Sequence, residues 1–478
     1  MLQGRVGSLE KKVGTLESTR FSTTTKLEGD TYWTIGASSF GGNGGNSNSN
    51  GPAFNNSNYG ALSFNYDLRL NLRTSFTGKD LLYTRLRAGN YLGSSFGGSP
   101  YRLGALDRAF PGSNNSGFAS GNNTFYLDRI YYRWPLTKTV TVALGPVARN
   151  TEFLGTAPFY YTDHAGLDFF QLHGAPGTYN KATGGTFAAI WKQPVKKGKP
   201  YFTVSTSLVS PASFSADPQG STTNSGTNVA ANSGGILGGS STDSWLTQIA
   251  YVKDQWKAAF AYRFGKCGGD SGSQNRQGSQ AAVAALQCNT SGVSSSPYTN
   301  NFALSWAWQP KKGGTIVPSL GLGYGYSSYS QTGTWPAQGS TFGALGGWNT
   351  AMSNPNSYPG VGNIAATQSW TVALQWKDAF TKGNSAGMAV GQPSFVTATR
   401  NGQTPQDGNY AWEWWYKFKV SDQISLTPTI FYLSNPSSAG IPANGRNGIA
   451  QGNQGTNAAG QATGNNVFGA FLAAQFKF

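Results

Sequence analysis

With 478 residues, a formal net charge of +16 and yet only 11% charged side chains, the chain carries none of the lysine-rich blocks or recognition motifs of a nucleic-acid binder. Its 65 glycines, 14% aromatics and three methionines exclude a helical or doubly wound protein and point to many strands joined by polar loops. No run approaches the ~18 apolar residues of a membrane helix, while the negative mean hydropathy is compatible with a barrel, whose strands face lipid on one side only.

Leu2, Val6, Leu9, Val13 and Leu16 recur at spacings of four and three, the seam of a short coiled coil with Glu10, Lys11, Lys12 and Glu17 outside. Gly4, Gly7 and Gly14 each cost about 1 kcal/mol of helix relative to Ala, so residues 1–20 are expected to be helical only as a stalk remnant or in an oligomer. Residues 21–29 read as a Thr-rich linker. Met1 opens no signal peptide, so an exported chain is expected to have lost its leader.

From residue 30 to 478 a rhythm repeats: two strand-like segments, a short charged turn, then a long polar loop. Strands are predicted near 30–39, 59–73, 81–90, 124–134, 138–148, 182–192, 200–209, 242–252, 255–265, 299–309, 315–326, 367–376, 384–391, 409–420, 423–433 and 467–478, sixteen in all. Short connections at 77–80, 135–138, 193–199, 253–254, 309–314, 377–383 and 421–422 alternate with long ones such as 40–58 and 327–366, which hold no charged residue. Sorting of turns and loops by parity is what an outer-membrane barrel requires and a soluble sandwich does not. Trp134, Trp191, Trp256, Trp308, Trp376 and Phe418 fall beside the short turns, as an interfacial girdle would. The predicted fold is all-β, a 16-stranded antiparallel transmembrane β-barrel with a short N-terminal coiled-coil helix.

In the second strand Leu62, Phe64, Tyr66, Leu68, Leu70 and Leu72 alternate with Ser63, Asn65, Asp67, Arg69, Asn71 and Arg73; the third sets Leu82, Leu86 and Ala88 against Arg85 and Arg87. The fourth continues with Arg129, Tyr131 and Arg133, although Asp128 then falls on the lipid side unless it sits at the rim or beside a bulge. Counted from the turns, Arg73, Arg85 and Arg133 should share one height, with Arg69, Arg87 and Arg129 a layer above. These six guanidiniums are read as a basic wall that attracts anions and can hydrogen-bond sugar hydroxyls.

The third long loop, near 149–181, holds Glu152, Asp163, Asp168, His164 and His173 among Phe159, Tyr160, Tyr161, Phe169 and Phe170. It is expected to fold inward and set its acids opposite the arginines, narrowing the lumen under a transverse field. A divalent-metal site on Asp163, His164, Asp168 and His173 is the lesser reading, and no metal or other cofactor is assigned. Cys267 and Cys288 share one loop and can close a disulfide, which would place the chain in an oxidising compartment. The last residues put Phe468, Ala470, Leu472, Ala474, Phe476 and Phe478 on one face against Gln475 and Lys477, a closing barrel strand. Catalysis finds no support, because both histidines lie in one loop and no Ser stands in a nucleophile motif with them.

The segments Phe125-Tyr126-Leu127-Asp128-Arg129-Ile130-Tyr131-Tyr132-Arg133-Trp134-Pro135 and Trp412-Glu413-Trp414-Trp415-Tyr416-Lys417-Phe418-Lys419-Val420-Ser421-Asp422-Gln423-Ile424-Ser425-Leu426-Thr427-Pro428 resemble the carbohydrate-selective porin family, in particular its cyanobacterial members. From about residue 22 onward, the resemblance implies a homotrimeric outer-membrane porin for passive diffusion of small ions and sugars, set among lipid and lipopolysaccharide. For cyanobacterial members the resemblance implies a surface-layer-homology domain that tethers the barrel to peptidoglycan-linked polymer; that domain is expected to be missing here, with Leu2 to Leu16 the remnant of its stalk. The competing expectation is a structural or adhesive surface barrel whose long loops bind polymers. Charge reversal at Arg85 and Arg129 is expected to shift ionic selectivity toward cations.

Overall fold

The structure, a computed structural model, describes residues 24–42, 52–110, 122–162, 166–211, 213–214, 235–238, 241, 243–266, 277–279, 282, 298–311, 315–330, 364–399, 408–436 and 465–478. Sixteen strands form one closed antiparallel barrel in which each pairs with its sequence neighbours and the first with the last. They are β1 Thr25–Gly42, β2 Ser63–Thr74, β3 Leu81–Gly89, β4 Tyr126–Pro135, β5 Val140–Arg149, β6 Thr183–Lys192, β7 Tyr201–Ser210 and β8 Ser244–Lys253. The circuit continues with β9 Trp256–Lys266, β10 Tyr298–Trp308, β11 Ser319–Tyr329, β12 Ile364–Lys377, β13 Ser385–Thr399, β14 Tyr410–Lys419, β15 Ile424–Ser434 and β16 Asn465–Lys477.

Burial is inverted relative to a water-soluble protein. Phe187 on the outer face is 52% exposed, while its neighbour Ala188 faces inward at 1%. Trp33, Phe64, Leu127, Leu144, Trp245, Phe260, Leu304 and Leu472 are likewise exposed outside, and Ser205, Ser207, Gln248, Ala303 and Thr371 are buried inside. Period-two alternation between hydrocarbon and a polar interior produces that pattern.

At one end the strands are joined by short turns. Asp80 organises the first: its carboxylate accepts from the Ser75 hydroxyl at 2.8 Å, the Thr77 amide at 2.8 Å, and the Tyr132 hydroxyl of β4 at 2.7 Å. Aromatic chains band this end, with Tyr132 stacked on Trp134 at 5.2 Å and Tyr251 tilted against both Phe202 at 4.8 Å and Trp256 at 5.3 Å. Rings at this level match the interfacial preference of amphipathic aromatics.

Several boundaries differ from the sequence reading: β13 runs on to Thr399 beyond the expected end near 391, β2 and β11 start four residues later than expected, and the first strand and first long loop differ as follows. β1 begins at Thr25, inside the expected linker, because residues 25–29 pair with Leu70–Thr74 and the Thr25 and Thr74 hydroxyls bond at 2.8 Å. Gly29 and Phe478 exchange backbone hydrogen bonds of 2.6 and 2.9 Å, and a Cβ at Gly29 would overlap the Phe478 ring. An eight-residue helix, α1 (Pro52–Tyr59), occupies the first long loop, tied to β1 by the Asn56 side-chain amide, whose Oδ1 accepts from the Phe40 amide at 2.9 Å and whose Nδ2 donates to the Phe40 carbonyl at 2.7 Å. Residues 1–20, the expected coiled coil, lie outside the described residues, as do Cys267 and Cys288.

Candidate pore and its lining

The third long loop, 150–182, enters the barrel and lies along the inner face of β7 through β14. Its anchors are backbone groups met by strand side chains. Arg263 donates to the Gly177 carbonyl at 2.5 Å, Lys257 to the Phe159 carbonyl at 2.9 Å and Ser369 to the Gly174 carbonyl at 2.8 Å. On β14, Glu413 accepts from the Tyr161 hydroxyl and the Leu167 amide, both at 2.7 Å, while the Trp415 indole donates to Tyr161 at 2.6 Å. The strands make room with glycine: an added Cβ at Gly321 would lie 2.9 Å from the Phe159 ring, and at Gly323 it would overlap the His173 carbonyl.

The second long loop also folds inward, which the sequence reading did not foresee. Tyr91 donates to Thr34 of β1 at 2.8 Å, and Phe96 packs edge-on against Phe471 of β16 at 5.3 Å. The two loops are zipped together: the Asp107 amide donates to Gly166 and the Asp168 amide to Ala105, both at 2.9 Å. Lys181 lies between Asp107, at 2.5 Å, and Asp168. Burial by itself would raise the Asp107 carboxyl, but Lys181 and then Arg108 hold it well below the usual carboxylate range. Four rings and an Asp107-Arg108 pair within 91–110 were the available signal.

The arginines lie on the opposite wall, and five of the six, Arg69, Arg73, Arg85, Arg87 and Arg129, have a carboxylate beside them. Asp67 of β2 accepts from Arg69 at 2.8 Å and from Arg87 of β3 at 2.6 Å, the two guanidiniums being direct cross-strand neighbours. Asp128 lies 3.5 Å from Arg85 and 2.9 Å from Arg129, and Glu152 of the third loop accepts from Arg129 at 2.8 Å. Arg85 also donates to Asn71 at 2.8 Å and to the Tyr83 hydroxyl, and Arg108 sits 4.5 Å over the Tyr32 ring.

The layers differ from those counted from the turns. Arg69 is level with Arg87, Arg85 with Arg129, while Arg73 faces Tyr83 and Arg133 faces Leu81. Both pairings run unshifted through these positions, so the offset comes from counting heights from the turns and not from the cross-strand register; the shift between Arg85 and Leu86 instead absorbs Asp128 as a bulge and turns its side chain inward. Arg73 is 4.0 Å from Glu28. Of the loop residues expected opposite this wall, Glu152 meets Arg129, Asp168 is bound instead by Lys181 and Gln277, and His173 packs between Phe159 and Tyr179 at 5.0 and 5.6 Å. Asp163 and His164 lie outside the described residues.

The side chains of Arg73, Arg108, Asp107, Glu152 and Arg85 remain 44, 23, 22, 22 and 19% exposed, so the interior offers cations and carboxylates side by side. Such a lining can donate to and accept from the same small solute.

A family model described as carbohydrate-selective porin, OprB family, matches residues 1–459. Two cyanobacterial proteins, both described as uncharacterized, are similar along the chain. One from Nostoc sp. is 25% identical over 443 residues, 91% of this chain and 66% of its own length; one from Synechocystis sp. is 27% identical over 445 residues, 90% and 69%. This chain therefore spans about two thirds of each relative. The high-pH structure of Pseudomonas putida OprB superposes with a TM-score of 0.50 at 12% identity, over 95% of this chain and 94% of that one, a likeness of fold.

Proposed function

The chain belongs to the carbohydrate-selective porin OprB family, and from that premise we propose that this outer-membrane barrel is a passive diffusion channel for small hydrophilic solutes, inorganic ions and sugars among them. The path runs between the inserted third loop and the wall of β2 to β4. Arg69, Arg73 and Arg85 supply donors and Glu152 and Asp107 supply acceptors, while Arg87, Arg129, Asp67 and Asp128 are buried behind them and hold the exposed guanidiniums in place. The observation that carries this reading is the interleaving of guanidinium and carboxylate: a solute hydroxyl both donates and accepts, and such a lining replaces its lost water contacts in either role.

Homotrimeric assembly is part of the proposal and would appear as conductance steps in threes. Tethering to peptidoglycan-linked polymer by a preceding domain rests on the likeness to cyanobacterial members alone. Reconstituted protein is expected to swell liposomes in salts and in monosaccharides, more slowly as solute size rises, and absence of swelling in either would refute the channel. Because Arg129 is 1% exposed, the selectivity test moves to Arg69 and Arg85. Arg69→Glu with Arg85→Glu should shift reversal potentials toward cations, and unchanged potentials would remove the wall from the account.

A further inference from the structure

At the turn-side mouth the β4–β5, β6–β7 and β8–β9 connections border a recess of about 420 Å3 lined by Lys138, Lys192, Lys196, Lys197, Lys199 and Lys253. Asp254 is the single carboxylate in that lining. None of the six lysines enters an ion pair among the described residues. The contrast with the arginine wall is direct, since there every cluster of guanidiniums encloses its own acid.

The turn does not need these ammonium groups for its shape. Gly198 supplies the positive φ of 81°, the Lys199 amide donates to the Lys196 carbonyl at 3.1 Å, and the Gln193 amide donates to the Phe202 carbonyl at 2.9 Å. Gathering like charges in one concavity opposes folding and favours an anion that enters it. Strand parity gives the direction in which the recess opens. Lys192, Tyr201 and Val252 share the phase of the inward Ala188, Thr203 and Ala250, whereas Phe187, Phe202 and Ile249 face outward. The recess therefore sits at the rim of the barrel, with Lys192, Tyr201 and Val252 on its lumen side and Lys253 in the outward phase of Ile249. Lys192 is held there, its ammonium 4.3 Å from the centre of the Tyr201 ring.

Lysine presents a compact charge with three donors, suited to a small multiply charged oxyanion, whereas the forked guanidinium suits planar pairing. The recess admits one small solute and is too small for a polymer. We propose that it is a binding station for the phosphate group of a small solute, free phosphate or a phosphorylated sugar, at the turn-side mouth of the channel. The proposal rests on the diffusion-channel reading above.

Single channels in a planar bilayer at about 0.1 M chloride, where screening extends over ~10 Å, provide the test. Inorganic phosphate added to the turn side is expected to reduce the chloride current saturably, and to do so more weakly from the loop side. The variant K138Q/K196Q/K197Q/K199Q should conduct but need on the order of tenfold more phosphate for the same reduction. A control with Lys79→Gln and Lys382→Gln, on other turns, should behave as the parent. A phosphorylated sugar that acts at lower concentration than phosphate identifies the sugar as the source, and equal potency identifies the phosphate alone; both support the site. Equal reduction in parent and quadruple variant, or equal loss in the control, overturns it while leaving the channel intact. A barrel that inserts and passes no current refutes the channel reading itself.

Discussion

Asp128 and Arg129 are consecutive in β4, yet both side chains point into the barrel and pair at 2.9 Å, 3% and 1% exposed. Strand neighbours ordinarily face opposite sides, and the bulge is what delivers an acid into a layer that would otherwise hold only Arg85 and Arg129. Removing one partner of a buried pair typically costs about 3–5 kcal/mol because the other charge stays behind. Asp128→Ala should therefore lower the denaturant midpoint of the folded barrel, followed by its electrophoretic heat-modifiability, and make the channel more anion-selective. An unchanged midpoint would show that the pair stabilises nothing.

At Gly323 the third loop lies directly against the wall behind it, with no room for a Cβ against the His173 carbonyl. Gly323→Val should push the loop toward the arginines while β11 keeps its pairing. Single-channel conductance is expected to fall and the sugar size limit in liposome swelling to drop. A variant with parental conductance would argue that the loop does not border the path.

Lys181 joins the two inserted loops through Asp107 and Asp168. Since the folded Asp107 carboxyl is held below its unfolded value, its contribution is present above about pH 4 and is lost as pH falls through the depressed folded value. Open-channel noise should accordingly be low at pH 7 and rise only in strong acid. Lys181→Met should be noisy already at pH 7. Equal noise in both proteins at neutral pH would exclude this link as a restraint.

Asp80 gives a second pH dependence, at the turns. Burial acts to raise its carboxyl, but the hydrogen bonds donated by Tyr132, Thr77 and Ser75 prevail and hold it below the ordinary range. Its contribution is thus present above about pH 4 and disappears as pH falls through the lowered folded value. The stability gap between the parent and Asp80→Asn, measured by chaotrope unfolding, should be widest near neutrality and close in strong acid. A gap independent of pH would contradict that assignment.

The barrel was legible because lipid and lumen impose a period of two on every strand, and β3, β6 and β15 lie within two residues of the expected bounds at each end. The inserted loops were less so, because what seats them lies far along the chain: Glu413 receives Tyr161 from 252 residues away. One local trace existed. Gly321, Gly323 and Gly325 occupy alternate positions between Leu320, Leu322, Tyr324 and Tyr326, leaving an inner face without side chains where a loop can lie. The neutralisation of the wall was partly readable, since Asp67 precedes Arg69 by two and shares its face. The Asp128 bulge was not, because alternation alone cannot say which of two adjacent polar residues turns inward.

The central claim is that solutes pass between the third loop and the wall of β2 to β4, and cysteine modification during single-channel recording tests it most directly. In a Cys267→Ala, Cys288→Ala background, Arg85→Cys places a thiol on the wall, whereas Ala373→Cys places one behind the loop, on the residue paired with Gly321 and 1% exposed. A charged methanethiosulfonate reagent should step the current down in Arg85→Cys and leave Ala373→Cys unaffected. Rapid modification with current loss in Ala373→Cys, and none in Arg85→Cys, would put the path on the other side of the loop.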